Sequence, residues 1–241
     1  MTDAIRLSKR LADQLGCSRR EAELYIEGGW VRVDGQIIEA PFHKVAPSQQ
    51  VELLDGAAAQ EVPAVTLLLN KPAGCQLPSD AGELFDWLCQ ATHWAEDPAA
   101  IAPLKRHLLR QQLVLPLEQA ASGLVVCSQQ REVIRLLGDN RRAPEEEYVV
   151  QVSGTASGDA LARLAKGLVH RGLALPRAKA SWQSEQHLRL VLKGARPGDI
   201  DRLCAALGLQ LQGYRRIRLG RLPMGKLPVG QWRLLGEHER F

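Results

Sequence analysis

Apolar residues recur at helical spacing near the start of the chain. Leu7, Leu11 and Leu15 fall on one face of Arg6–Gly16, and Gly16 is placed to end that helix. Ser18-Arg-Arg-Glu21 predicts a second helix, because a serine cap with glutamate three residues on satisfies free N–H groups reciprocally. Ala22, Leu24, Tyr25 and Ile26 follow, and Gly28-Gly29 stops it. The period then changes to two: Val31–Ile38 alternates around Asp34-Gly35, a dipeptide that favours a tight hairpin.

The pattern predicts a small module over 1–54 and a linker over 55–64, where the residues are small, polar and aperiodic. A larger domain then occupies 65–241. In it, Val65–Asn70 reads as a buried strand running into the turn Lys71-Pro-Ala-Gly74. A second apolar strand follows Ser122-Gly123, after the turn that holds Glu118. Leu188–Leu192 alternates as a strand, Ile200–Leu207 reads as a helix ended by Gly208, and Leu211–Leu219 is another strand.

Composition adds little to this picture. The chain is 45% hydrophobic, enough for a sizeable core, and its formal net charge of +4 is only mildly positive. Five widely spaced cysteines without a C-x-x-C argue against zinc and disulfides, so no metal is expected. The start of the chain lacks an apolar signal region, and no apolar run is long enough to span a bilayer. A cytoplasmic protein with no membrane partner is expected.

Charge matters locally. Arg6, Lys9, Arg10, Arg19 and Arg20 lie on the two adjacent helices with only Asp13 among them, a basic stripe suited to phosphates. Between Arg202 and Gly236 stand Arg202, Arg215, Arg216, Arg218, Arg221, Lys226 and Arg233 with no acid, a candidate second phosphate track. For both clusters the alternative is an ordinary solvated face.

Two resemblances follow from these residues. The N-terminal order Leu-Ser-Lys, Cys-Ser-Arg-Arg-Glu-Ala, Ile-Glu-Gly-Gly-Trp-Val-Arg-Val-Asp-Gly resembles the alpha-L RNA-binding domain. Asn70-Lys-Pro-Ala-Gly, Leu115–Cys127, Pro144–Val150 and Arg215–Leu235 together resemble the RNA pseudouridine synthases that act on small- and large-subunit ribosomal RNA. That resemblance implies an α+β protein, with the small N-terminal α+β RNA-binding domain followed by a mixed, mostly antiparallel sheet domain with a central cleft. It also implies no cofactor, a structured RNA partner (most simply ribosomal RNA) and a monomer.

The resemblance places Glu118 at the position of the family's nucleophilic aspartate, Tyr148 where a tyrosine stacks on the target base, and Lys71 beside the cleft. Three family features differ. Glu118 replaces aspartate, Pro116 replaces the motif arginine, and Gly198 stands where an arginine would neutralise the carboxylate, with Arg196 the nearby substitute. Glu146 replaces a basic residue before Tyr148, and Glu145–Glu147 read either as cleft carboxylates or as a solvated acidic turn. Arg215, Arg216, Arg218 and Arg221 are the RNA-binding candidates of the closing motif. The residues are compatible with two functions: a working uridine isomerase, or an inactive relative that binds RNA in ribosome assembly or as a chaperone. Target choice is assigned to loops such as Gln76–Arg110.

Overall fold

The computed structural model describes residues 4–78, 87–99, 101–139 and 143–241. They fall into two compact units, one of residues 1–64 with 101–109 and the other of residues 65–100 with 110–241. The expected linker 55–64 is therefore part of the first unit, as is a segment from within the larger domain. Residues 79–86 and 100 of the Gln76–Arg110 loop lie outside the described residues.

The first unit contains β1 (Ile5–Arg6), α1 (Leu7–Leu15), α2 (Arg19–Glu27), β2 (Val31–Val33), β3 (Gln36–Ile37), β4 (Lys44–Val45), β5 (Val51–Leu53) and the short helix α3 (Lys105–Leu108). Gly16 ends α1 at φ 66°. The capping box forms as expected, with the Ser18 hydroxyl accepting from Glu21 N–H at 3.1 Å and the Glu21 carboxylate accepting from Ser18 N–H at 2.8 Å. Asp34 and Gly35 both take positive φ in the hairpin turn between β2 and β3. Leu7, Leu11, Ala22 and Ile26 meet Val31, Val33, Val45 and Val51 in one core. Leu15, expected on that face, is the last residue of α1; it is 39% exposed and stands outside that core.

The second unit runs β6 (Thr66–Lys71), β7 (Gln112–Val114), β8 (Ser122–Ser128), α4 (Arg131–Gly138), β9 (Glu145–Ser153), α5 (Gly158–Lys166), β10 (Val169–His170), β11 (Leu173–Ala174), β12 (Ala178–Trp182), β13 (His187–Lys193), α6 (Asp199–Ala206), β14 (Gln210–Leu219), β15 (Leu222–Pro223) and β16 (Trp232–Leu234). The large sheet has the order β12-β13-β9-β14-β8-β6-β16, with β15 on β14 and β7 on β8. Among the described pairings between its strands only β8 with β14 is parallel, so the expected mostly antiparallel sheet is found.

Ser122-Gly123 has a specific structural duty at that parallel junction. Gly123 takes φ 105°, and a Cβ there would lie 2.2 Å from the Arg216 carbonyl oxygen. Glycine lets β14 approach β8 directly beside the Glu118 loop. Leu68, Leu124, Val126, Leu219 and Leu222 pack as the core behind the junction. Among the described residues no helix is long and apolar enough to cross a membrane.

Candidate active site

Glu118 sits on the loop between β7 and β8, and two buried cations hold that loop. Arg216 of β14 donates to the Leu115 carbonyl at 2.5 Å and to the Leu124 carbonyl at 2.8 Å, gripping both ends. Lys71, last residue of β6, donates from Nζ to the carbonyls of Ala121 at 2.6 Å, Gln119 at 3.1 Å and Pro72 at 3.1 Å. Burial pushes the Lys71 ammonium below its ordinary range. Gly74 N–H also donates to the Gln119 carbonyl, at 2.9 Å, so the Lys71-Pro-Ala-Gly turn docks on the Glu118 loop.

The Glu118 side chain is half-buried and reaches α6. Its carboxylate accepts the backbone N–H of Gly198, the residue that caps the N-terminus of α6. The glycine thus stands at the carboxylate, as the sequence register implied for an arginine, but contributes an amide in place of a guanidinium. Among the described residues no ion pair joins Glu118 to a cation. Arg196 is exposed, and its own backbone N–H donates to Asp199 at 2.8 Å. Arg202 is tied to Asp199 at 2.7 Å and to the Pro197 carbonyl at 2.9 Å.

Tyr214 of β14 is the second group on Glu118, and the sequence reading missed it. Burial first, and then the negative charge of nearby Glu118, push its ionisation far above the ordinary tyrosine value. Its ring meets Tyr148 edge-on, with centroids 5.9 Å apart and planes at 65°. The one available signal was the register of β14 with β8, where Arg215 lies opposite Ser122, and that register is a tertiary fact.

Tyr148 lies deeper than its expected role requires. Where the sequence reading has it meeting a base, it is 2% exposed and donates its hydroxyl to Glu146 at 2.6 Å. Glu146 is 1% exposed and also accepts from Arg216 at 3.0 Å and from Ala195 N–H at 3.0 Å. Glu147 accepts from Arg189 and Arg218, each at 2.5 Å, and these partners, Arg189 foremost, hold its carboxyl below the usual range. Both glutamates are interior ion-pair members on β9, neither cleft carboxylates nor a solvated turn.

The candidate RNA-binding residues separate into two groups. Arg6, Lys9, Arg19 and Arg20 are exposed and Arg10 is half-buried; Arg20 makes a surface pair with Glu61 at 2.9 Å, an interaction of small energetic weight. In the closing motif Arg215 and Arg221 are exposed, whereas Arg216 is internal and Arg218 is committed to Glu147 and the Gly220 carbonyl. Arg202 and Arg233 are likewise paired, with Asp199 and Glu239. The acid-free run therefore is not a continuous phosphate track, because its acids come from β9 and from flanking segments.

A small module with a helix–helix–hairpin order and exposed bases on its helices, joined to a sheet domain with a carboxylate on a clamped loop, defines the class, and comparison with known proteins agrees. Residues 5–51 match the S4 domain. Over 98% of its length the chain is 28% identical to the ribosomal small subunit pseudouridine synthase A of Salmonella typhimurium, covering 98% of that protein. It is 23% identical to the dual-specificity RNA pseudouridine synthase RluF of Escherichia coli K12, over 98% of this chain and 77% of that one. A crystal structure of a pseudouridylate synthase superposes with TM-score 0.60 at 20% identity, covering 97% of each chain. The chain thus carries an S4 domain, is similar along nearly its whole length to RNA pseudouridine synthases, and has the fold of a pseudouridylate synthase.

Proposed function

We propose that this protein isomerises uridine to pseudouridine in ribosomal RNA, without a cofactor, using Glu118 as the nucleophile. The observation that carries the reading is the clamp on the Glu118 loop. Arg216 and Lys71 fix the carbonyls of Leu115, Gln119, Ala121 and Leu124 around it. Burying two cations to order a surface turn is costly, whereas a reacting carboxylate needs placement to within about an ångström. The full-length likeness to proteins named RNA pseudouridine synthases supports the same reading.

In this reaction the N1–C1′ bond of uridine breaks while Glu118 acts on the substrate, and the freed base turns. C5 then bonds to C1′, the C5 proton leaves to solvent, and N1 takes up a proton. Gly198 N–H holds the carboxylate in place of a guanidinium, with Tyr214 close by and Tyr148 buttressing Tyr214 from the interior. Exposed Arg6, Lys9, Arg19 and Arg20, with Arg215 and Arg221, supply phosphate contacts. The protein acts as a cytoplasmic monomer.

The test is tritium release from RNA carrying 5-tritiated uridine. The native protein releases tritium and Glu118→Ala does not. Glu118→Asp loses roughly a hundredfold in rate, since retraction by about 1 Å misplaces the group. A native protein that binds RNA yet releases no tritium from ribosomal RNA overturns the reading.

A further inference from the structure

A second cationic surface, absent from the family motifs, flanks the site. Between Ala160 and Ser184 the chain carries Arg163, Lys166, Arg171, Arg177 and Lys179 and no carboxylate, and all five are exposed. Arg163 and Lys166 stand in the last turn of α5, where a cation complements the helix end. Arg171, Arg177 and Lys179 have no such duty, and none of the three forms an ion pair among the described residues. Elsewhere in the unit Arg189, Arg216, Arg218 and Arg233 are all taken up by glutamates. Uncompensated like charges repel, so this surface is shaped for an anionic partner.

Its form narrows the partner. β10 and β11 make a separate two-stranded hairpin outside the large sheet, with Arg171 (φ 50°) and Gly172 (φ 81°) as its turn. An arginine at positive φ is uncommon and puts the cation at the very tip. Val169 and Leu173 beside it are 72% and 58% exposed. Two hollows meet at Pro176: one of about 310 Å³ lined by Leu173, Arg196, Asp199 and Arg202, and one of about 390 Å³ lined by Arg177, Lys179, Lys193 and Glu145. The first borders the N-terminus of α6, where Gly198 N–H meets Glu118.

We propose that the β10–β11 hairpin and the adjoining hollows hold the RNA strand next to the nucleotide that faces Glu118, with Arg171, Arg177, Lys179 and Arg196 on its phosphates and Leu173, which lines the first hollow, against ribose or base. The surface reads backbone and shape, because contacts from these cations to phosphates position a strand without reading its sequence. The placement beside Glu118 rests on the isomerase reading; the binding claim does not.

The experiment measures binding of the full chain to a fluorescein-labelled RNA stem-loop with a uridine-rich loop, by anisotropy across salt concentrations. The triple variant Arg171→Ala, Arg177→Ala, Lys179→Ala is expected to bind about tenfold more weakly near 100 mM salt. Its slope of log affinity against log salt should fall by about 2, at ~0.7 per lost single-strand phosphate contact. Arg196→Ala provides a second, single-site readout, expected to lower the slope by about 0.7. Unchanged affinity and slope in both variants overturn the proposal, as does an equal loss of binding to polyglutamate of matching charge, which would assign the surface to any polyanion. Tritium release by the native protein is read separately, so hairpin-dependent binding without turnover sinks the isomerase reading alone.

Discussion

Arg216 and Glu146 form an ion pair at 3.0 Å with side chains 2% and 1% exposed. The pair joins two structures that sequence keeps far apart. Through Glu146 it fixes Tyr148 and the Ala195 amide, and through its other nitrogens Arg216 holds both ends of the Glu118 loop. Replacing Arg216 with Met leaves Glu146 charged and buried without its cation, at a cost of about 3–5 kcal/mol in urea unfolding. Adding Glu146→Gln to Arg216→Met should restore part of that stability without restoring turnover, because the loop stays unclamped.

Lys71→Met keeps the apolar stem and removes three donors from loop carbonyls. It should cost about 1–3 kcal/mol for the carbonyls left unsatisfied. Its effect on tritium release should exceed its effect on RNA affinity, since the altered loop carries Glu118 and no exposed cation.

Tyr214→Phe removes the hydroxyl whose ionisation the nearby Glu118 charge opposes, and leaves the ring packed on Tyr148. A fall of about tenfold in kcat with little change in KM is expected, the pattern of a group that positions the reacting carboxylate. A matching loss from Tyr148→Phe with Tyr214 intact would assign the role to the deeper tyrosine.

Gly123→Ala places a Cβ 2.2 Å from the Arg216 carbonyl and forces alanine to φ 105°. Backbone strain and overpacking together should cost about 3 kcal/mol or more, read by thermal unfolding. Alanine at Gly74, where nothing lies within 4 Å of a new Cβ, should cost less.

The pH dependence of stability has a defined sign at Glu147. Its carboxyl is held below the ordinary value of 4.5, first by the Arg189 hydrogen bond, so around that pH the unfolded chain binds more protons than the folded one. Its contribution is complete above 4.5 and is lost as pH falls through the depressed folded value. Glu147→Gln should flatten the acid limb of a urea-unfolding series, with Arg189 partly exposed and so contributing modestly.

Much of the local structure was legible in the sequence. The α2 capping box, the Asp34-Gly35 turn, the glycine ending α1 and the strand running into Lys71 are contacts among near neighbours, and short-range patterns specify them. The register that puts Glu118 before Ser122-Gly123 was also readable, since both sit on one continuous loop and strand.

Sequence alone indicated the helix–helix–hairpin order of the first unit, the cluster of bases between Arg6 and Arg20, and the strands on either side of the Glu118 loop. Only the tertiary structure decided which charges are free. Arg216 and Arg218 looked like an RNA-facing run until β14 was laid beside β9, whose Glu146 and Glu147 consume them. The same pairing brought Tyr214 next to Tyr148 and Glu118, and the α6 N-terminus brought an amide where a guanidinium was expected. Charge compensation and site geometry depend on pairings across tens of residues, which no local pattern records.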